Sequence, residues 1–166
     1  MIVATSKKPP RLQNRRTPRW LFDALNALFG PFVLDAFADQ RNTLCPRFYT
    51  KAQDGTRRPW GDVTFFNPPF AIMGDAVAQA VHEAEAGRAR SIGLAPVGCS
   101  QDWYHELAIR GTVYVPDFRF NYDTPSGRPT KRADRDSIVL ALGGEHENPD
   151  WRKGVFRVRR LTIDVR

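Results

Sequence analysis

The chain has 166 residues, of which 42% are hydrophobic and 11% aromatic, enough to bury one core and too few for two comfortable domains. Lysine and arginine number 25 against 18 aspartate and glutamate, giving a formal charge of +7 and an isoelectric point near 9.9. That surplus suits a polyanionic partner, nucleic acid first, although it speaks to association and not to chemistry. No apolar run approaches the roughly 18 residues that span a bilayer, and the first residues lack the apolar core of a secretory signal. Cys45, Cys99, His82, His105 and His146 are scattered without metal-ligand spacing. A reduced, cytoplasmic protein with no obligate metal is the expectation.

Residues 1–16 carry Lys7, Lys8, Arg11, Arg15 and Arg16 with almost nothing to bury, and read as a basic flexible arm ahead of a single domain over 17–166. Thr17 can cap a helix and Pro18 suits its first position. Leu21, Phe22, Leu25, Leu28 and Phe29 then form one apolar stripe before Gly30 and Pro31 stop it. Residues 32–37 read as a buried strand with Asp35 at its carboxyl end, and a second short strand is expected near 47–50. Residues 62–66, DVTFF, form a clearer strand that delivers Asn67, Pro68, Pro69 and Phe70 at its end.

A helix over about 75–86 sets Ala76, Val77, Ala80, Val81 and Ala84 on one face and stops at Gly87. Residues 91–96 read as another buried strand, followed by a short helix capped by Ser100 with Trp103 and Leu107 inward. Two further strands, 112–116 and 137–142, flank a polar stretch at 121–136, and 155–165 reads as an edge strand with a bulge or as two short strands. Strands alternating with helices argue an α/β fold with a mostly parallel sheet and helices on both faces.

Ligands of open α/β sheets settle outside the carboxyl ends of the strands, where Asp35 and the Asn67 tetrad both fall. An aromatic exocyclic amine is a poor nucleophile because its lone pair is delocalised into the ring. Two acceptors aimed at its hydrogens draw the nitrogen toward tetrahedral geometry and stabilise the charge that develops there. The Asn67 side-chain oxygen and the Pro68 carbonyl can be those acceptors, since proline fixes φ and has no competing N–H. Phe70 offers a face for a base flipped out of a duplex. The alternative for the tetrad is a plain turn, for Asp35 a cap or turn residue, and for Asp54, before Gly55, an ordinary turn. Arg128, Lys131 and Arg132 in the polar stretch are candidate DNA contacts, or a solvated loop; Trp60 and Trp103 can stack on bases but suit a core or pocket wall.

The segments TPRWLFDAL, LDAFADQRNTLCPRFYT, Asp54 with Gly55, Trp60 before VTFFNPPF, APVGCSQDWYHE, and FRF followed by a polar loop and SIVLAL occur in that order. Through them the chain resembles the phage-type DNA N6-adenine methyltransferases, the Dam family of phages and prophages, over about 17–142. The resemblance implies a Rossmann-like methyltransferase fold, S-adenosylmethionine as donor, adenine in double-stranded DNA as acceptor, and Asn67, Pro68, Pro69 and Phe70 as the catalytic motif. It also implies Thr17 and Pro18 beside the donor, Asp35, Ala36 and Phe37 in the first cofactor motif, and Asp54 as an acidic partner for the ribose or the adenine amine. The turn after Asp35 departs from the glycine-rich form common in methyltransferases, for residues 36–41 contain no glycine. Cytosine N4, an RNA base or a protein glutamine would need the same amine activation, and a non-catalytic DNA-binding protein on this fold is a different class of reading.

Overall fold

The computed structural model describes residues 15–106, 108–130, 136–153 and 157–163. Most of the expected basic arm, together with Lys131, Arg132 and Leu107, lies outside them. Helix α1 (Arg19–Phe29) buries Leu21, Phe22 and Leu25. Strands β1 (Leu34–Asp35) and β2 (Arg47–Phe48) are short, β3 (Asp62–Phe66) leads through a 3-10 turn into α2 (Met73–Glu85), and β4 (Ala89–Pro96) follows. After α3 (Asp102–Glu106) come β5 (Thr112–Pro116), β6 (Ser137–Leu142) and β7 (Arg157–Leu161).

The seven strands form one sheet in the order β2-β1-β3-β4-β6-β5-β7. Pairings among β1, β2, β3 and β4 are parallel, β7 is parallel to β5, and β6 runs antiparallel to both of its neighbours. Side chains alternate across this sheet as its pleat requires. Phe65, Ile92, Leu94, Val139 and Ala141 face α1, whereas Phe66, Leu140 and Leu142 join Ala76, Val77 and Ala80 of α2 and Tyr104 of α3. Helices therefore cover both faces, as the alternating pattern predicts.

Three details differ from the sequence reading. Leu28 stands 53% exposed, because the α1 stripe is narrower than the apolar residues it contains. The helix starts at Arg19 with Pro18 in the cap position and no side-chain cap, so Thr17 is left for another partner. The last strand forms the sheet edge as expected, but Arg157 to Leu161 pair with β5 in unbroken register, without a bulge in that stretch.

Candidate active site

Because six of the strands share a direction, the chain leaves β1, β3 and β4 on one edge of the sheet. There β1 ends on Asp35 and β3 on Phe66, with Asn67 next in the chain, the two strand ends held side by side by the hydrogen bond from the Ala36 N–H to the Phe65 carbonyl (3.0 Å). Thr17, Asp35, Phe37, Asn42, Phe65 and Asn67 line one cleft, with Arg15 and Arg16 along its rim. The structure thus joins two features that are 32 residues apart in the chain.

Asp35 is buried, at 5% exposure, and among the described residues its carboxylate accepts the weak 3.2 Å bond from the Phe37 N–H to Oδ1. Burial pushes its pKa up to about 7, the Phe37 bond opposing it. No described cation pairs with it. A desolvated carboxylate opening on a cleft is a ready partner for a cationic ligand.

The glycine-free turn after Asp35 is shaped by side chains. Asp39 Oδ1 accepts from the N–H groups of Arg41 (2.7 Å) and Asn42 (3.1 Å), and Asn42 Oδ1 accepts from the Asp39 N–H (2.7 Å). The close approach that a glycine in that turn would allow comes from across space: a Cβ on Gly55 would overlap the Ala36 carbonyl oxygen. This gives Gly55 a role that its place in an Asp-Gly pair does not disclose.

Asp54 behaves as a turn residue. It sits at φ 56°, and its Oδ1 accepts from the Thr56 N–H (3.2 Å) and hydroxyl (2.6 Å). The Thr56 hydroxyl holds its carboxyl below the usual range. It lines a second cleft with Thr56, Ile72, Asp75, Gln79 and His82, apart from the residues around Asp35. Trp60 is 2% exposed and its Nε1 donates to the Gly55 carbonyl at 2.8 Å, so it is core, in ring contact with Phe37 and Phe66. Trp103 is half-buried beside α2.

In the tetrad, Asn67 is half-buried and Pro68 buried, while Phe70 is 38% exposed. Asn67 Nδ2 donates to the Thr17 hydroxyl at 2.9 Å, a contact spanning 50 residues. Among the described residues none donates to Asn67 Oδ1 or to the Pro68 carbonyl. Both acceptors are thus unengaged by the described residues, and the exposed Phe70 follows two positions after Pro68 in the chain. The Phe66 ring anchors the approach to this motif, packing where a Cβ on Gly93 would otherwise sit.

Residues 117–130 after β5 are tied down by packing and bridges. Phe118, Phe120 and Tyr122 form a chain of ring contacts running from Trp20, with Phe120 and Tyr122 buried. Asp123 pairs with both Arg16 and Pro129 in antiparallel bridges, making a small ribbon whose turn at 124–128 is closed by the bond from the Thr124 N–H to the Arg128 carbonyl (2.7 Å). Arg128 is exposed at that tip. Among the described residues no three His, Cys, Asp or Glu side chains are grouped to hold a metal, and no helix is long and apolar enough to cross a membrane.

A seven-stranded, mostly parallel sheet with one reversed strand, flanked by helices and carrying a cleft at its strand ends, is a Rossmann-like methyltransferase fold. The chain matches the profile described as "DNA N-6-adenine-methyltransferase (Dam)" over residues 5–134, and it belongs to that family. It is similar to "Putative methyltransferase YfdM" of Escherichia coli (strain K12), 39% identical over 62 residues that cover 33% of this chain and 68% of that protein. It is also similar to the "DNA N-6-adenine-methyltransferase" of Escherichia phage T1, 29% identical over 92 residues, covering 54% of this chain and 38% of that protein. The match thus spans well under half the length of the phage relative.

Proposed function

We propose that the protein methylates the N6 amine of adenine in double-stranded DNA with S-adenosylmethionine as donor. The observation that carries this reading is the pair of free acceptors, Asn67 Oδ1 and the Pro68 carbonyl, next to exposed Phe70 at the end of β3.

The cleft suits the donor. Asp35 supplies a buried carboxylate for the methionine ammonium, Arg15 and Arg16 bring positive charge toward its carboxylate, and Thr17 and Asn42 add polar lining. When bound, the donor supplies an electrophilic methyl group on a sulfonium centre. Asp54 would reach it only by leaving Thr56, so its proposed part in ribose or adenine recognition needs that turn to open.

On the acceptor side, Phe70 stacks on the flipped base while Asn67 Oδ1 and the Pro68 carbonyl take the two N6 hydrogens. As these bonds shorten, Asn67 Oδ1 and the Pro68 carbonyl draw the lone pair out of conjugation and stabilise the positive charge developing on nitrogen until its extra proton passes to solvent. The donor would supply the methyl group, keeping the electron pair of its carbon–sulfur bond on sulfur. No group on the protein is alkylated. The ribbon at 122–130, with Arg128 at its tip, stands on the same sheet edge and supports a duplex partner, with Lys131 and Arg132 following directly in sequence.

Incubation of the protein with methyl-labelled donor and a duplex of all sixteen dinucleotide steps, followed by nucleoside analysis, tests the reading. Label on N6-methyladenine is expected. Label on cytosine N4 or on RNA would move the acceptor, and donor binding without transfer would overturn catalysis.

A further inference from the structure

We infer that Thr17 is a positioning residue for methyl transfer: its hydroxyl anchors the Asn67 amide at the end of β3, so that the other end of the amide is held toward the reacting amine. The inference rests on the function proposed above and assigns Thr17 a task different from lining the donor cleft.

An asparagine amide has two ends of nearly equal shape and opposite polarity. If Oδ1 faces the substrate it accepts an N6 hydrogen; if Nδ2 faces it, two sets of N–H groups oppose each other and the nitrogen is not activated. The amine hydrogens themselves select the oxygen end, because a threonine hydroxyl both donates and accepts and can bond either end; its part is to hold the amide in place. Nδ2 donates to Thr17 Oγ1 at 2.9 Å, and Oδ1 receives no bond from any described residue. The anchor thus leaves Oδ1 open to an amine hydrogen.

Thr17 is itself held on both sides. Arg16 exchanges two 2.9 Å main-chain bonds with Asp123, and the Pro18 carbonyl accepts from Phe22 N–H (3.0 Å) as α1 begins. The hydroxyl is therefore delivered by a fixed strap and not by a mobile loop. Because the helix starts one residue later than a Thr cap would place it, the side chain is free for this use. A positioning bond of this kind acts through a reacting group without touching the substrate.

The test uses the full chain, methyl-labelled S-adenosylmethionine and an adenine-containing duplex, comparing Thr17→Ser, Thr17→Val and Thr17→Ala. Thr17→Ser retains the hydroxyl and keeps near-normal kcat. Thr17→Val, similar in shape but without a hydrogen-bonding group, and Thr17→Ala lose about 10- to 100-fold in kcat, as removal of orienting partners does elsewhere, with little change in donor KM. Unchanged kcat in Thr17→Val, a loss confined to donor KM, or failure of Thr17→Ser to rescue overturns the inference. A wild-type protein that places no label on N6 overturns the functional reading instead, and this inference falls with it.

Discussion

The main-chain N–H of Trp60 donates to the carboxylate of Glu83 at 3.1 Å, tying the loop before β3 to the far end of α2. Glu83 is 1% exposed and also receives Arg88 through Nε (2.9 Å) and Nη2 (2.8 Å), and Gln79 Nε2 (3.0 Å). The Arg88 bonds are the largest cause holding its carboxyl below the usual range. Since Gln79 also donates to the Arg58 carbonyl at 2.8 Å, one buried acid organises the loop that carries Gly55 and Trp60.

Glu83→Ala should therefore destabilise the fold by about 2–3 kcal/mol, discounted for the half-exposed Arg88, as read by urea denaturation. A group with a depressed folded pKa contributes stability that is lost as pH falls through its titration. The stability gap between the wild type and Glu83→Ala should thus narrow as pH falls through the depressed titration of Glu83. A variant as stable as wild type at neutral pH would show that the buried pair holds nothing.

Asp35 has the opposite sign. Its folded pKa of about 7 lies above the ordinary aspartate value of 3.8, so the folded state takes up a proton between those values. Its contribution to stability is fullest below pH 4 and is lost as pH rises to about 7, the reverse of Glu83. Asp35→Asn should remove this slope and raise the melting temperature above pH 7. Under the proposed donor role the same variant loses donor affinity, and wild-type affinity, measured by calorimetry, strengthens as pH rises toward 7. Affinity flat across that range would separate Asp35 from the donor.

Gly55→Ala should be costly out of proportion to one methyl group. Its Cβ meets the main-chain oxygen of Ala36, which cannot rotate away, so the two loops flanking the Asp35 end of β1 must separate. A loss of about 1–3 kcal/mol in denaturation is expected. Donor affinity should fall beyond what that loss explains. A normally stable, normally binding variant would show that the contact is slack.

Phe70→Ala should leave stability within about 0.5 kcal/mol, because the side chain is substantially exposed. If the ring stacks on the extruded base, DNA affinity falls by about 1–3 kcal/mol and Phe70→Trp restores it. Arg128→Ala should instead weaken binding to all duplexes alike and reduce the slope of log affinity against log salt by about 0.9 for one lost phosphate contact. An unchanged slope would remove Arg128 from the interface.

The hydrophobic periods of this chain disclosed its helices, its strands and their alternation, because each depends on local spacing of apolar side chains. Asp35 and the Asn67 tetrad were legible for the same reason: each terminates a strand whose burial is written in consecutive residues. The strand order and the reversal of β6 were not, since pairing partners are set by long-range packing. Thr17 illustrates the limit most directly. A threonine before proline and an apolar stripe has the local signature of a helix cap, and only the fold brings Asn67 within reach of its hydroxyl. Glu83 was hidden too, for a charged residue beside an alanine-rich helix face carries no local sign that a main-chain N–H and an arginine will converge on it.

The reversal of β6 has a consequence for how the molecule can change. Since β5 runs toward the Asn67 edge and β6 runs away from it, the segment between them both departs from and returns to that edge, its return fixed where the Val97 N–H meets the Asp136 carbonyl (3.0 Å). At its exposed tip, residues 125–128, beyond the Asp123 bridge to Arg16, residues can be added or exchanged without altering the register of a single strand. The sheet thereby offers a socket that accepts different tips, leaving Asn67, Asp35 and their supports in place.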